Sequence, residues 1–123
     1  MPGSQDFSSD PRNERALVYL NGELVPRTEA RVSVFDAGFV LGDGIWEGVR
    51  LHKGALLFEN AHLNRLFEGA RAIRLDIGMS RDEIKTALQR TIQANEMTSG
   101  VHIRLMVTRG LKKAPNQIGR AHV

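Results

Sequence analysis

Two turn signals, Asn21-Gly22 and Lys53-Gly54, each separate a pair of short apolar runs, and that punctuation commits the first half of the chain to antiparallel hairpins. Residues 16–20 form a β-prone run that Asn21-Gly22 turns back into residues 23–25, with Pro26 ending the strand because proline has no ladder N–H to give. Residues 31–35 alternate polar and apolar before a glycine-rich stretch from Asp36 to Gly44. Residues 45–52 and 55–58 then read as a second hairpin.

The second half changes period. Leu63, Leu66, Phe67, Ala70 and Ile73 recur at helical spacing, with Asn60 expected as the N-cap. Ser80 followed by Glu83 is a capping box opening a second helix that carries Ile84, Leu88 and Ile92. Gly100 releases an apolar strand at residues 101–108, with Arg109-Gly110 as its end. That strand is apolar enough to sit inside a sheet. Hairpins, then two helices, then a strand indicate an α+β domain.

Composition removes several classes of function. With 41% apolar and 25% charged residues among 123, the chain is ordinary globular material for one domain. No apolar run nears the ~20 residues of a membrane span, and residues 1–15 are a polar tail without a signal-peptide core. The net charge is +3, and the arginines are dispersed among acids, so no basic block marks a nucleic-acid surface. The absence of cysteine excludes disulfides and thiolate chemistry and fits a reducing cytoplasm. The histidines lack metal-ligand spacing and the serines lack a nucleophile elbow, so no metal site or catalytic nucleophile is expected. Residues 118–123 read Ile118-Gly119-Arg120-Ala121-His122-Val123, one-frame translation of a common short-read sequencing adapter, and the natural frame is expected to end near Gln117.

A few residues remain as candidates for binding. The run from Gly42 to Arg50 can offer backbone N–H groups to a phosphate, although its glycines serve turns and close packing equally well. His62 and Arg65 share a helix face; an arginine there either clamps a phosphate dianion or pairs with Glu59 or Glu68. Arg104 shares a strand face with His102 and Met106, and in so apolar a strand it calls for an anionic partner, internal or bound. Arg109 and Gly110 read as strand-end punctuation. Asp36, Asp43 and Glu47 lie in turn-rich sequence where acids are commonplace.

In order along the chain stand Tyr19-Leu20-Asn21-Gly22-Glu23, then Val32-Ser33-Val34-Phe35-Asp36-Ala37-Gly38-Phe39, then Gly42-Asp43-Gly44-Ile45-Trp46-Glu47-Gly48-Val49-Arg50. They are followed by His62-Leu63-Asn64-Arg65-Leu66-Phe67 and by Ile103-Arg104-Leu105-Met106-Val107-Thr108-Arg109-Gly110. Five such segments at this spacing resemble class IV aminotransferases, a family that includes branched-chain amino-acid aminotransferases, D-amino-acid aminotransferases, R-selective amine transaminases and aminodeoxychorismate lyase.

The resemblance implies the small N-terminal domain of such an enzyme, over residues 16–117: a hairpin-rich sheet packed with two helices, the large C-terminal domain being absent. It implies pyridoxal 5'-phosphate as cofactor, with Arg65 on its phosphate, Trp46 and Gly48 lining the substrate side-chain pocket, and Arg104 near the substrate carboxylate. The substrates would be an amino acid and a 2-oxo acid such as 2-oxoglutarate, and the whole enzyme a homodimer or higher homo-oligomer. The family's catalytic lysine lies in the large domain. Lys53, Lys85, Lys112 and Lys113 do not occupy its place in the motif order, so the chain alone is expected to be inactive.

Phe35-Asp36 and Glu47-Gly48-Val49-Arg50 resemble the branched-chain group. Residues 111–116 lack the Arg-x-His that D-amino-acid enzymes carry beyond Thr-Arg-Gly, although Thr108-Arg109-Gly110 itself is shared with that branch. A reading from a different class is a stand-alone binding module that keeps the small domain without catalysis.

Overall fold

A computed structural model describes residues 10–111 and 121–123. The first part of the polar tail, Lys112, Lys113 and the remainder of residues 112–120 lie outside the described residues. Five strands and three α-helices follow one another as β1 (Leu17–Leu20), β2 (Glu23–Pro26), α1 (Ala37–Leu41), β3 (Gly44–His52), β4 (Ala55–Leu56), α2 (Glu59–Ala72), α3 (Arg81–Asn95) and β5 (Val101–Thr108), with a 3₁₀ turn at Pro11–Arg15 before them.

Both expected hairpins form. β1 pairs β2 across Asn21-Gly22, whose φ values of 52° and 94° suit a tight hairpin turn. β3 pairs β4 across Lys53-Gly54, and β5 returns from the helices to pair along nearly all of β3, giving the antiparallel order β4-β3-β5. The fold is α+β, with β3 in the middle of its larger sheet. Among the described residues the apolar strand β5 is therefore an edge strand. Its outer side carries one bridge, in which Thr108 and His122 exchange N–H···O bonds of 2.9 and 3.1 Å.

Alternation along β3 and β5 separates two faces. Glu47, Val49, Leu51, Leu105 and Val107 are buried on one, where α2 packs; Trp46, Arg50, His102, Arg104 and Met106 are exposed on the other. The core joins Leu63, Leu66 and Ala70 of α2 to Leu75, Ile77, Ile84, Leu88, Leu105 and Val107. The helical stripe thus buries its central members, while Phe67 packs at the core's margin and Ile73, at the C-cap, is 38% exposed. Asn95 ties the smaller sheet to α3, accepting from Leu17 N–H at 2.8 Å and donating to Leu17 C=O at 3.0 Å.

Three local expectations change. Asn60 lies inside α2; the N-cap is Phe58, which is left-handed at φ 56° and gives no side-chain cap, because the chain enters the helix straight from the β4 turn. The alternation at residues 31–35, which by itself named no element, makes no strand: with no ladder beside it Val32, Val34 and Phe35 stay exposed. The glycine-rich stretch holds a third, five-residue helix, α1, capped by Asp36 accepting from Gly38 N–H at 2.9 Å and closed by Gly42 at φ 67°. β4 is only two residues long: Leu57 N–H still donates to Arg50 C=O at 2.9 Å, but the chain then turns through left-handed Phe58 into α2. The capping box at Ser80 and Glu83, by contrast, forms in full.

Leu66 is 1% exposed at the centre of this core. Leu66→Ala is expected to cost ~2–5 kcal/mol through lost burial and the cavity left behind, read as a lowered urea midpoint at unchanged m-value.

Candidate functional site

Glu47 is the focus. Strand alternation puts its side chain among Val49 and Leu51 on the helix-facing side of β3, where the residue is 2% exposed. A carboxylate there requires compensation, and α2 supplies it. Arg65 donates from Nε to Glu47 Oε1 at 2.5 Å and from Nη2 to Oε2 at 2.7 Å, a two-pronged fork; Nδ1 of His62, one turn earlier, lies 2.9 Å from Oε2. The Arg65 guanidinium holds the Glu47 carboxyl down at about 2, opposed by burial and helped by His62. Glu47 can therefore only accept near neutrality, which requires the proton of His62 on Nδ1.

The Arg65 side chain is 73% exposed although its partner is buried. Its Nη1 makes no hydrogen bond to the described residues. The expected helix-face pairing of His62 and Arg65 is present, but the carboxylate is neither Glu59 nor Glu68. It is Glu47, whose place on the apolar i, i+2, i+4 face of β3 is the sequence signal that distinguishes it from a turn residue.

Trp46, Gly48 and Arg104 come together on the opposite face of the sheet. Gly48 faces Arg104 in the register and Trp46 faces Met106; the Arg104 guanidinium lies over the indole, 4.6 Å from the ring centroid. A Cβ on Gly48 would come within 2.6 Å of His102 Nε2, so the glycine lets the imidazole close over the strand. Of the two anionic partners expected for it, internal or bound, Arg104 has no internal one among the described residues. Its face is open to solvent, so the cation stays hydrated and stacks on Trp46. An apolar cleft of 710 Å³ runs along the free edge of β5, lined by Leu17, Tyr19, Leu88 and Ile103, and reaches Arg104 and Met106 but not Arg65.

Two further groups, expected as strand-end punctuation and an ordinary turn acid, are structural ties. Arg109 donates from Nε to Asp43 at 2.7 Å and from its two terminal nitrogens to the carbonyls of Ile73 and Arg74, closing the C-terminus of α2. Asp36, 2% exposed, accepts from Thr108 Oγ1 at 2.9 Å and lies 3.0 Å from His122 Nδ1. Lys53 sits in the β3–β4 turn and Lys85 on α3, and neither shares an element with Arg65. Among the described residues no group of acids and histidines could hold a metal ion, and no helix is long and apolar enough to cross a membrane.

Residues 44–120 match the family model for amino-transferase class IV. The chain is 43% identical over 102 residues to branched-chain-amino-acid aminotransferase-like protein 1 of Arabidopsis thaliana, covering 83% of this chain and 18% of that protein. It is 36% identical over 101 residues to a D-alanine aminotransferase of Listeria monocytogenes serotype 4b, covering 82% and 35% respectively. In structure it resembles a branched-chain aminotransferase from Thermoproteus uzoniensis crystallised with norvaline, with TM-score 0.78, 26% identity and 87% of this chain against 38% of that one. It also resembles a T.th. branched-chain amino acid aminotransferase with pyridoxamine 5'-phosphate, with TM-score 0.77, 25% identity and 88% against 38%. The chain thus spans between about a fifth and two-fifths of these relatives' own length.

The Glu47 pairing carries a pH signature. A carboxyl lowered from 4.5 to about 2 on folding contributes stability that is complete above pH 4.5 and is lost as pH falls toward 2. The difference in thermal midpoint between the wild type and Glu47→Gln should be constant from pH 7 to 5 and shrink steadily from pH 4.5 to 2. A difference independent of pH would show that the native carboxylate gains nothing from the Arg65 guanidinium.

Proposed function

We propose that this chain, which belongs to the amino-transferase class IV family, is the part of a pyridoxal 5'-phosphate-dependent aminotransferase that clamps the cofactor phosphate and lines the substrate pocket. The observation that carries this reading is Arg65: a mostly exposed guanidinium, fixed along one edge by buried Glu47 and, among the described residues, unengaged at Nη1. That geometry fits a phosphate monoester, whose oxygens accept from a planar fork. When bound, the cofactor supplies an electron sink for a proton shift at the amino-acid Cα.

Trp46, Gly48 and Arg104 are the substrate-facing residues in this reading. The indole gives an apolar wall, the missing side chain of Gly48 gives room, and Arg104 offers a cation to a carboxylate, exchanging hydration and the Trp46 contact for a charge-assisted bond. The branched-chain class is favoured over the D-amino-acid class by higher identity, 43% against 36%, and by the branched-chain names of the structural relatives above. An apolar indole wall supports the same preference. The amino group would pass to a 2-oxo acid such as 2-oxoglutarate, in a homodimeric cytoplasmic enzyme.

The lysine that holds the cofactor and moves the proton belongs, in this reading, to sequence outside these 123 residues. The chain should therefore give no transfer from leucine, isoleucine or valine to 2-oxoglutarate above a protein-free control. Turnover would place a catalytic lysine within it.

The phosphate role is tested by titrating the chain with pyridoxal 5'-phosphate. Arg65→Ala should weaken binding by roughly ten- to a hundredfold, the equivalent of a charge-assisted bidentate contact, while Arg104→Ala leaves it within twofold. The reverse ranking would assign the phosphate to the other face of the sheet.

A further inference from the structure

Arg65 is one of the longest and most flexible side chain types, and an exposed arginine ordinarily samples many rotamers. Here it is held at two atoms by a carboxylate that lies beneath it in the sheet. The carboxylate is itself filled: Oε1 takes Nε, and Oε2 takes both Nη2 and the Nδ1 proton of His62. No further donor is needed, and at 2% exposure Glu47 presents no surface to an anion arriving from solvent.

Resting on the reading of Arg65 as the phosphate clamp, we propose that Glu47 is its positioning residue, fixing the Nε–Nη2 edge of the guanidinium so that the Nη1 edge stands ready for a phosphate monoester. His62 completes the device. By occupying Oε2 from the other side it keeps the carboxylate plane from rotating away from the fork, and one helical turn sets both partners at once. The arrangement gives up some attraction, because a negative charge lies behind the cation, and gains preorganisation, because the side-chain entropy of Arg65 is already spent before a ligand arrives.

These two effects predict opposite signs, which makes the proposal sharp. If Glu47 acts mainly as a competing counter-ion, its neutralisation tightens phosphate binding. If it acts by positioning, neutralisation loosens binding, since the amide N–H₂ of a glutamine meets donors on Arg65 and His62 and releases the guanidinium.

The 123-residue chain is titrated with pyridoxal 5'-phosphate, with pyridoxal as the phosphate-free control, and followed by ¹H–¹⁵N NMR. In the wild type the Arg65 Nε–H should appear as a slowly exchanging, shifted resonance, lost in Glu47→Gln. Glu47→Gln should weaken pyridoxal 5'-phosphate binding roughly two- to tenfold, the cost of ordering one freed long side chain, and leave pyridoxal binding unchanged. In an Arg65→Lys background, which keeps the charge but loses the fork, Glu47→Gln should add little, whereas a merely structural role would give the same loss in both backgrounds.

Should Glu47→Gln fail to fold, Arg65→Lys alone decides, with weaker phosphate binding at unchanged charge expected and wild-type binding overturning the proposal. Tighter or unchanged binding by folded Glu47→Gln, with Arg65→Ala still defective, overturns the positioning role and leaves the clamp standing. Unchanged binding by Arg65→Ala overturns the clamp itself.

Discussion

Taking the Glu47 carboxylate out of water costs on the order of several kcal/mol, and the arrangement of β3 against α2 follows from how that cost is met. The two partners must come from one helix, on one face, at the right height above the strand. His62 and Arg65, three residues apart, meet that condition only when α2 crosses β3 in one register. Leu63 and Leu66, interleaved with them, then face the core with Leu105 and Val107. Hydrophobic burial supplies most of the stabilisation, as in any domain of this size, but apolar side chains alone tolerate sliding. A charged fork does not, because a shift of one turn leaves a buried carboxylate unpaired.

β3 connects the two candidate surfaces because it is a central strand with different chemistry on each side. Glu47 points toward α2 and Arg65, whereas Trp46 and Gly48 point toward Arg104 and His102. Adjacent residues on one strand thus face Arg65 on one side and Arg104 on the other, with the backbone as a fixed spacer. A one-residue slip would exchange the faces, burying Trp46 and exposing Glu47. Near-complete pairing with β5, from Gly44 opposite Thr108 to Leu51 opposite Val101, guards against such a slip.

Much of this was legible in the residues. The hairpin turns, the capping box, the two long helices and the returning strand each rest on a local signal strong enough to survive tertiary context, and the structure has all of them. Arg65, Trp46, Gly48 and Arg104 came into view through ordered motifs. What escaped were features set by long-range neighbours. Glu47 looked like one of several acids near glycines, and only its membership of the Val49 and Leu51 face marks it as buried. Asn60 had the right side chain for a cap, yet the hairpin delivers the chain to the helix at Phe58. Arg104 was expected to have an anionic partner, internal or bound; no internal one stands beside it among the described residues, because its face of the sheet is open to solvent and the guanidinium lies over Trp46.

The preference for arginine over lysine, 13 to 4, has a structural reading in the same terms. Arg109 shows it most clearly: Nε bonds Asp43 while two other nitrogens reach the carbonyls of Ile73 and Arg74, so one side chain joins β5, the loop after α1 and the end of α2. Arg12 joins Asp10 to the carbonyls of Ser99 and Gly100 in the same manner. A lysine offers three donors from a single point and cannot span such separated acceptors, whereas a guanidinium spreads five over a rigid plane. Arg65 follows this pattern with one difference. Its fork is half used among the described residues, and the half left over faces solvent, whereas the guanidiniums of Arg109 and Arg12 spend their donors on fastening the fold.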